Sequence, residues 1–185
     1  MDPRTQASAR IGALVADKYR LERVLGSGGM GTVYEATHTF TDRRVAVKLL
    51  HPAFVDGESV TMKRFLLEAK AAAAIQHPSV VEVLDAGMAD GAPYVVFELL
   101  EGETLSSALA EGHLNQGDLL ELASQVLEVL ELAHARGIVH RDIKPEYVFV
   151  CRGGGGALRA KVLDFGIARR LDGPLAEGLT QQGAV

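Results

Sequence analysis

Alternating apolar and polar positions in the first half of the chain predict an antiparallel sheet. Residues 19–25, 32–34 and 44–50 show this alternation or are rich in β-branched and aromatic residues, and a glycine cluster separates the first two segments. We therefore expect a hairpin whose turn is the glycine cluster, followed by a third strand. Residues 80–85 and 92–99 have the same character and are expected to complete a five-stranded sheet.

One helix is expected within this sheet region. Phe65, Ala69 and Ala72 recur at helical spacing within residues 59–75, and Ser59 is a plausible N-cap. The helix should end before Pro78, because proline cannot continue it.

The second half of the chain changes to helical periodicity. We predict a short helix over residues 105–110 and a long one over 118–136, with Gly137 as its terminator. Short strands are expected at 138–139, 148–151 and 161–163. The apolar face of the long helix is predicted to contain Leu119, Ala123, Val126, Leu127, Leu130 and Ala133. The fold class is α+β, with two lobes that join near residues 98–102.

Composition narrows the classes of function. The chain has 185 residues, 48% of them hydrophobic, and a net charge of −5, so it can form a core and offers no basic footprint for nucleic acid. Cys151 is the only cysteine, which excludes an intrachain disulfide and fits a reducing compartment. No apolar run approaches the roughly 20 residues of a membrane span, and no signal peptide is visible. We expect a soluble, cytoplasmic protein.

Four motifs occur in the order that a protein kinase requires: LGSGGMGTV at residues 25–33, VAVK at 45–48, HRDIKP at 140–145 and DFG at 164–166. From about residue 19 to its last residue, the chain resembles a bacterial eukaryotic-like (Hanks-type) Ser/Thr protein kinase. The resemblance implies a protein-kinase-like fold and transfer of the ATP γ-phosphoryl group to Ser/Thr hydroxyls of protein substrates. It divides the chain into a flexible lead-in (1–17), a small lobe (18–100) and a partial large lobe (101–185).

The glycine-rich run allows the backbone to approach phosphate groups without an intervening Cβ. Alone it fits a flexible hairpin turn equally well. A dinucleotide-binding loop would require a helix directly after the glycines, whereas Thr32, Val33 and Tyr34 favour a strand.

Lys48 lies in an otherwise apolar strand, and Glu68 lies on the apolar face of the first helix. A lysine in such a strand could simply extend its ammonium group to water. A carboxylate on a buried face is costly unless it is paired, so each residue explains the placement of the other. The resemblance implies that Lys48 holds the α- and β-phosphates of ATP and that Glu68 positions it.

The resemblance also assigns the catalytic loop. Asp142 would accept the proton of the attacking hydroxyl, and Lys144 would neutralise charge on the transferred group. Asp164 would ligate Mg²⁺, because a hard cation prefers carboxylate oxygen. Arg141 would bind a phosphorylated activation segment, with Thr180 as the candidate phosphate acceptor.

The nucleotide site follows from the same resemblance. Phe97 would be the gatekeeper at the back of the site, and His140 would be a structural support beneath Phe165. The residues expected to bind the nucleotide are Leu25, Gly26, Gly28, Gly29, Gly31, Val33, Ala46, Lys48, Glu98, Leu100 and Phe149.

Two departures from the family pattern stand out. Tyr147 occupies the place of an Asn that would ligate a second Mg²⁺, so we expect low turnover. The chain also ends within the activation segment, which predicts truncation and an exposed apolar patch on the long helix. Both departures favour an alternative, a catalytically impaired pseudokinase that binds nucleotide or a protein partner. A small-molecule phosphotransferase of related fold is a further alternative.

Overall fold

The structure is a computed structural model that describes residues 7–51, 54, 60–153 and 157–164, apart from the side chains of Val60 and Arg64. Within these residues the chain forms two antiparallel sheets. The larger sheet has the spatial order β1 (Leu14–Val15), β2 (Tyr19–Ser27), β3 (Gly31–His38), β4 (Arg44–Leu50), β6 (Ala92–Glu98) and β5 (Val83–Ala89). The smaller sheet has the order β7 (Gly102–Thr104), β8 (Val148–Arg152) and β9 (Leu158–Val162).

The described helices are α1 (Val60–Ala74), α2 (Leu105–Ala110) and α3 (Gln116–Ala135), with a 3₁₀ turn at Pro145–Tyr147. Asn115 caps α3: its side chain accepts from the Asp118 N–H at 3.1 Å, and its own N–H donates to the Asp118 carboxylate at 2.9 Å. This capping box starts the helix earlier than the expected residue 118. Ser59, the expected N-cap of α1, lies outside the described residues.

The larger sheet has six strands rather than the expected five, because residues before Tyr19 are part of it. β1 pairs with β2, and the Tyr34 hydroxyl donates to the carbonyl oxygen of Ala7 at 3.2 Å. Ala7 is 3% exposed and belongs to the core cluster that packs on the sheet. The prediction of a flexible lead-in over residues 1–17 is therefore wrong for residues 7–17.

Strand β5 begins later than predicted, because the residues before it pair with the smaller sheet. Val81 N–H donates to the Val162 carbonyl at 3.1 Å, and Val162 N–H donates to the Ser79 carbonyl at 2.8 Å. These bonds form a parallel bridge between Val80 and Val162 of β9. The expected strand 80–85 thus begins only at Val83, because residues 79–81 pair with the smaller sheet instead.

The buried face of α3 differs from the predicted one. Leu122, Val129 and Ala133 are the buried residues, with Leu122 and Val129 1% and 0% exposed. They pack against β8 and β9 in two core clusters. Leu127, which was predicted on the apolar face, is 65% exposed, and Ala123 is also exposed.

The expected strand at residues 138–139 is absent from the described structure. Gly137 adopts a positive φ of 70°, and the Ile138 N–H donates to the Ala133 carbonyl at 2.9 Å, so these residues complete the end of α3. In the part of the chain described above, no helix combines the length and the apolar character needed to cross a membrane.

Candidate active site

A cavity of about 340 Å³ is lined by residues of both sheets and of the segment between them. Most of the residues predicted to hold a nucleotide line it, and the exceptions are Gly28, Gly29 and Gly31. The lining residues are Leu25, Gly26, Val33, Ala46, Lys48, Val81, Phe97, Glu98, Leu99, Leu100, Phe149, Leu163 and Asp164. The lining is mainly apolar, and its charged members are Lys48, Glu98 and Asp164.

The glycine-rich turn joins β2 to β3. A Cβ placed at Gly26, Gly28 or Gly29 would meet no atom within 4 Å, so the space beside these residues is open. Gly31 differs, because a Cβ there would overlap the carbonyl oxygen of Leu49 in β4. Gly31 is thus required by the close approach of two strands, whatever its relation to a ligand.

Side chains at the base of this turn form a hydrogen-bonded chain. The Ser27 and Thr32 hydroxyls lie 3.2 Å apart, and Thr32 Oγ1 lies 3.1 Å from Nε2 of His51. The His51 N–H also donates to the Met30 carbonyl at 3.0 Å. These bonds connect the turn to the end of β4, whose Lys48 lies in the cavity.

Lys48 brings the two predicted carboxylates together. Its Nζ lies 3.0 Å from Oδ1 of Asp164 and 3.5 Å from Oε2 of Glu68. Burial alone would lower the pKa of Lys48, but attraction to Asp164 and then to Glu68 outweighs it and raises the pKa. Lys48 is therefore a charged ammonium in a largely buried site, and Glu68, 8% exposed on α1, is placed to hold it.

The residues predicted to form the catalytic loop lie at the surface and do not line the cavity. Asp142 and Lys144 are half exposed, and Lys144 Nζ lies 3.5 Å from Asp142 Oδ2, so the two charged groups point the same way as predicted. Arg141 precedes them with a φ of 65°, and Asp164 has a φ of 43°. Non-glycine residues in this conformation are uncommon and concentrate at functional sites.

His140 joins the catalytic loop to the residues before Asp164. It is 1% exposed, and its Nε2 donates to the Leu163 carbonyl at 2.9 Å. The Leu163 N–H in turn donates to the Tyr147 carbonyl at 2.8 Å. His140 is thus a buried connection between two loops, and Phe165, which it was expected to support, lies outside the described residues.

The residues present fit one divalent cation. Asp164 offers a carboxylate whose side chain is 43% exposed beside the cavity, and carboxylate oxygen is the ligand that Mg²⁺ prefers. Tyr147 does not line the cavity, and its ring faces Lys144, with Nζ 4.6 Å from the ring centroid. A phenol turned to Lys144 does not fit the second cation that the family resemblance implies for an Asn at this position.

Sequence reasoning missed several residues of the site. Val81, Leu99 and Leu163 line the cavity, but a strand pattern gives no sign of which apolar side chains face a ligand. It also missed Lys161 of β9, which forms an ion pair with Glu98 and donates to the Val80 carbonyl at 3.3 Å. A charged residue inside a buried strand was the available signal. Phe165, Gly166 and Thr180 lie outside the described residues.

The two-sheet arrangement and a lysine held between two carboxylates at a cavity are typical of proteins with the kinase fold. The protein kinase domain family matches residues 19–181, and the chain belongs to this family.

Similar proteins are named as bacterial serine/threonine kinases. The chain is 40% identical over 174 residues to serine/threonine-protein kinase pkn2 of Myxococcus xanthus, covering 94% of this chain and 21% of that protein. It is 38% identical over 184 residues to serine/threonine-protein kinase PknA of Mycobacterium tuberculosis, covering 96% and 41%. These names give no support to the pseudokinase alternative.

A solved structure shows the same fold. The crystal structure of the M. tuberculosis PknI kinase domain matches with a TM-score of 0.69 and 31% identity, covering 86% of this chain and 62% of that one. The chain spans less than half the length of either curated relative. The fold of a kinase small lobe with part of a helical lobe is therefore confirmed.

Proposed function

We propose that this chain contains the ATP site and the catalytic loop of a Ser/Thr protein kinase. The observation that carries the proposal is the position of Lys48, whose ammonium lies between Glu68 on α1 and Asp164 after β9. A charged group held by carboxylates from two lobes at the inner side of a cavity is suited to receive phosphate oxygens.

The remaining roles follow from the lining of the cavity. Val33 and Ala46 of the larger sheet and Phe149 of the smaller one form two apolar walls that suit the adenine ring. Backbone groups of Glu98 and Leu100 would bind the edge of the base. Asp164 would hold Mg²⁺, which neutralises phosphate charge when it is bound.

At the open side of the site, Asp142 would accept the proton of the substrate hydroxyl, and Lys144 would offset charge on the transferred phosphoryl group. Neither role requires a shifted pKa, because positioning and charge stabilisation dominate this chemistry. Since the reaction consumes ATP and acts on protein hydroxyls, we place it in the cytoplasm.

Phosphotransfer from labelled ATP to a generic Ser/Thr protein substrate tests the proposal. Asp142→Asn should abolish transfer and leave ATP binding intact. Asp90→Asn is the matched control: Asp90 is exposed in the β5–β6 turn, and its φ of 51° suits Asn equally well. Transfer that persists in Asp142→Asn, or wild-type protein that neither binds nor uses ATP, would contradict the proposal.

We further propose that the Arg141 side chain binds the phosphate group of phosphorylated Thr180. Arg141 is exposed beside Asp142, so its guanidinium can reach a phosphorylated segment. Mapping phosphorylated residues after incubation with Mg-ATP tests this, and an unmodified Thr180 would count against it. If Thr180 is modified, Arg141→Ala should lower the activity of the phosphorylated protein to the level of Thr180→Ala, which cannot accept the phosphate.

A further inference from the structure

Tyr147 lies against the catalytic lysine. Lys144 Nζ lies over the Tyr147 ring at 4.6 Å from its centroid, inside the range of about 6 Å in which a cation is attracted to a ring face. The same Nζ lies 3.5 Å from Asp142 Oδ2. The ammonium is therefore held between a ring face and the carboxylate that is proposed to accept the substrate proton.

The ion pair alone would hold Lys144 weakly. The side chains of Lys144 and Asp142 are 43% and 50% exposed, and exposed pairs of long side chains contribute little order. Electrostatic attraction to Tyr147 raises the pKa of Lys144 against the effect of burial, and attraction to Asp142 and Glu146 adds to the rise. A second contact is therefore needed to restrict the motion of the Lys144 side chain.

The backbone of Tyr147 is anchored by two hydrogen bonds, and its ring contacts a buried neighbour. The Tyr147 N–H donates to the Lys144 carbonyl at 2.9 Å, and the Tyr147 carbonyl accepts from the Leu163 N–H at 2.8 Å. On another side, the ring lies 6.2 Å from the ring of His140, which is buried. The 3₁₀ turn that begins at Pro145 brings Tyr147 back over Lys144. The backbone bonds and the contact with His140 therefore place the ring beside Lys144.

We propose that Tyr147 is a positioning residue, whose ring face holds the Lys144 ammonium beside Asp142. It would restrain the loop at the place where the family pattern has Asn, through a contact that an amide cannot make. The proposal deepens the kinase function and rests on it for its catalytic consequence, but the contact itself can be tested without any activity.

The first test is spectroscopic. In protein labelled with ¹³C-lysine, the Lys144 ε-methylene signal, assigned through Lys144→Arg, should be shifted upfield by the ring. Tyr147→Phe keeps the ring and should keep the shift, whereas Tyr147→Leu should abolish it. Phe40→Leu removes an 85% exposed ring far along the chain and should leave the signal unchanged. An unshifted Lys144 signal in wild-type protein would overturn the proposal, even if Tyr147→Leu failed to fold.

The second test separates this inference from the proposed function. Relative to wild type, Tyr147→Leu should lower kcat roughly two- to fivefold with little change in KM for ATP, while Tyr147→Phe should match wild type. Equal kcat in all three proteins would overturn the positioning role while kinase function stands. Wild-type protein without phosphotransfer would instead contradict the proposed function, and the lysine spectrum would still decide whether the contact exists.

Discussion

Lys161 and Glu98 form an ion pair that connects the two sheets. Lys161 lies on β9, three residues before Asp164, and Glu98 ends β6 at the segment between the lobes. The two side chains are only 13% and 22% exposed. Glu98 Oε1 also accepts from the Glu82 N–H at 2.8 Å. The pair therefore connects the strand that leads to Asp164 with the segment proposed to bind the edge of the adenine ring.

Removing the cation of this pair should weaken both the fold and the nucleotide site. Lys161→Met leaves the Glu98 carboxylate largely buried without its partner, which we expect to cost about 1–3 kcal/mol of unfolding free energy. ATP affinity should also fall, because the segment at Glu98 would lose its ion pair with β9, although the bonds to Glu82 remain. Denaturant unfolding and nucleotide titration measure the two effects.

Arg159→Met is the control for this pair, because Arg159 is an exposed residue of the same strand. The double variant Glu98→Gln/Lys161→Met should lose less stability than the sum of the single variants, since the two residues interact directly. Strictly additive losses would show that the pair is not energetically coupled.

Lys48→Met should remove the stabilisation that Mg-ATP gives to the fold. At a ligand concentration of 100 times Kd, wild-type protein should gain about 2.7 kcal/mol. The variant lacks the charge between Glu68 and Asp164 and should gain little. Thermal unfolding with and without Mg-ATP measures the difference, and Lys70→Met, an exposed change on α1, serves as control. An equal gain in Lys48→Met would show that the nucleotide is not held by this ammonium.

Local pattern was sufficient for elements whose neighbours follow directly in sequence. β4 and α2 begin and end where the periodicity predicts, and β2 and β3 flank the glycine turn as expected. Strands that depend on distant partners were not predictable in this way. β7 has three residues and exists because it pairs with β8, and Val80 pairs with Val162 rather than continuing β5.

The same distinction applies to the candidate site. Lys48 and Glu68 were predicted as a pair because an ionisable group in an apolar element requires a partner, and Asp164 was predicted from the family resemblance as a cation ligand. The structure brings the three together, and the contact of Lys48 with Asp164 was not predicted. The contact of Tyr147 with Lys144 was not predicted, because it depends on how the 3₁₀ turn folds back on the loop. Hydrophobic periodicity does not show whether a turn folds back over the residues that precede it.

The corrected face of α3 gives a matched pair of substitutions. Leu122→Ala should cost about 2–5 kcal/mol of unfolding free energy, because Leu122 is 1% exposed and its loss leaves a cavity against β8 and β9. Leu127→Ala, on the same helix and 65% exposed, should change stability by less than about 0.5 kcal/mol. Denaturant unfolding compares them. A larger cost at Leu127 would mean that this surface is covered in solution.

Alkaline pH should weaken the fold partly through Tyr19. Its hydroxyl donates to Asp85 Oδ2 at 2.8 Å, and burial, then this hydrogen bond and the charge of Asp85, raise the pKa of Tyr19. A raised pKa means that the folded state holds its proton longer than the unfolded chain. The Tyr19 hydroxyl therefore makes its full contribution to the free energy of unfolding below roughly pH 10, and this contribution is lost as the pH rises beyond that value.

Tyr19→Phe should reduce the loss of unfolding free energy above pH 10 by up to about 1.4 kcal/mol per pH unit, the effect of one proton. At neutral pH the variant should be less stable by about 1 kcal/mol, since the hydrogen bond is gone. Asp85→Asn keeps the phenol and removes the charge, so it should retain part of the alkaline sensitivity. Identical slopes in Tyr19→Phe and wild type would exclude Tyr19 as a source.

Tyr147→Asn should change the number of divalent cations that the nucleotide complex holds. Of the two described carboxylate residues that line the cavity, Glu98 is paired with Lys161, which leaves Asp164 as the candidate cation ligand, and the Tyr147 ring is turned to Lys144. With a non-hydrolysable ATP analogue, wild-type protein should bind one Mn²⁺, counted by electron paramagnetic resonance, and the variant should bind two. Phosphotransfer should rise, because the amide oxygen supplies a ligand that the phenol cannot.

Tyr147→Leu controls for the loss of the ring, since it offers no ligand and should keep the count at one. Two ions in wild-type protein would show that the tyrosine does not limit cation binding. An unchanged rate in Tyr147→Asn despite a second ion would place the limiting step elsewhere in the reaction. Leucine and asparagine both remove the ring contact with Lys144. The difference in activity between these two variants therefore reports the effect of the second divalent cation alone.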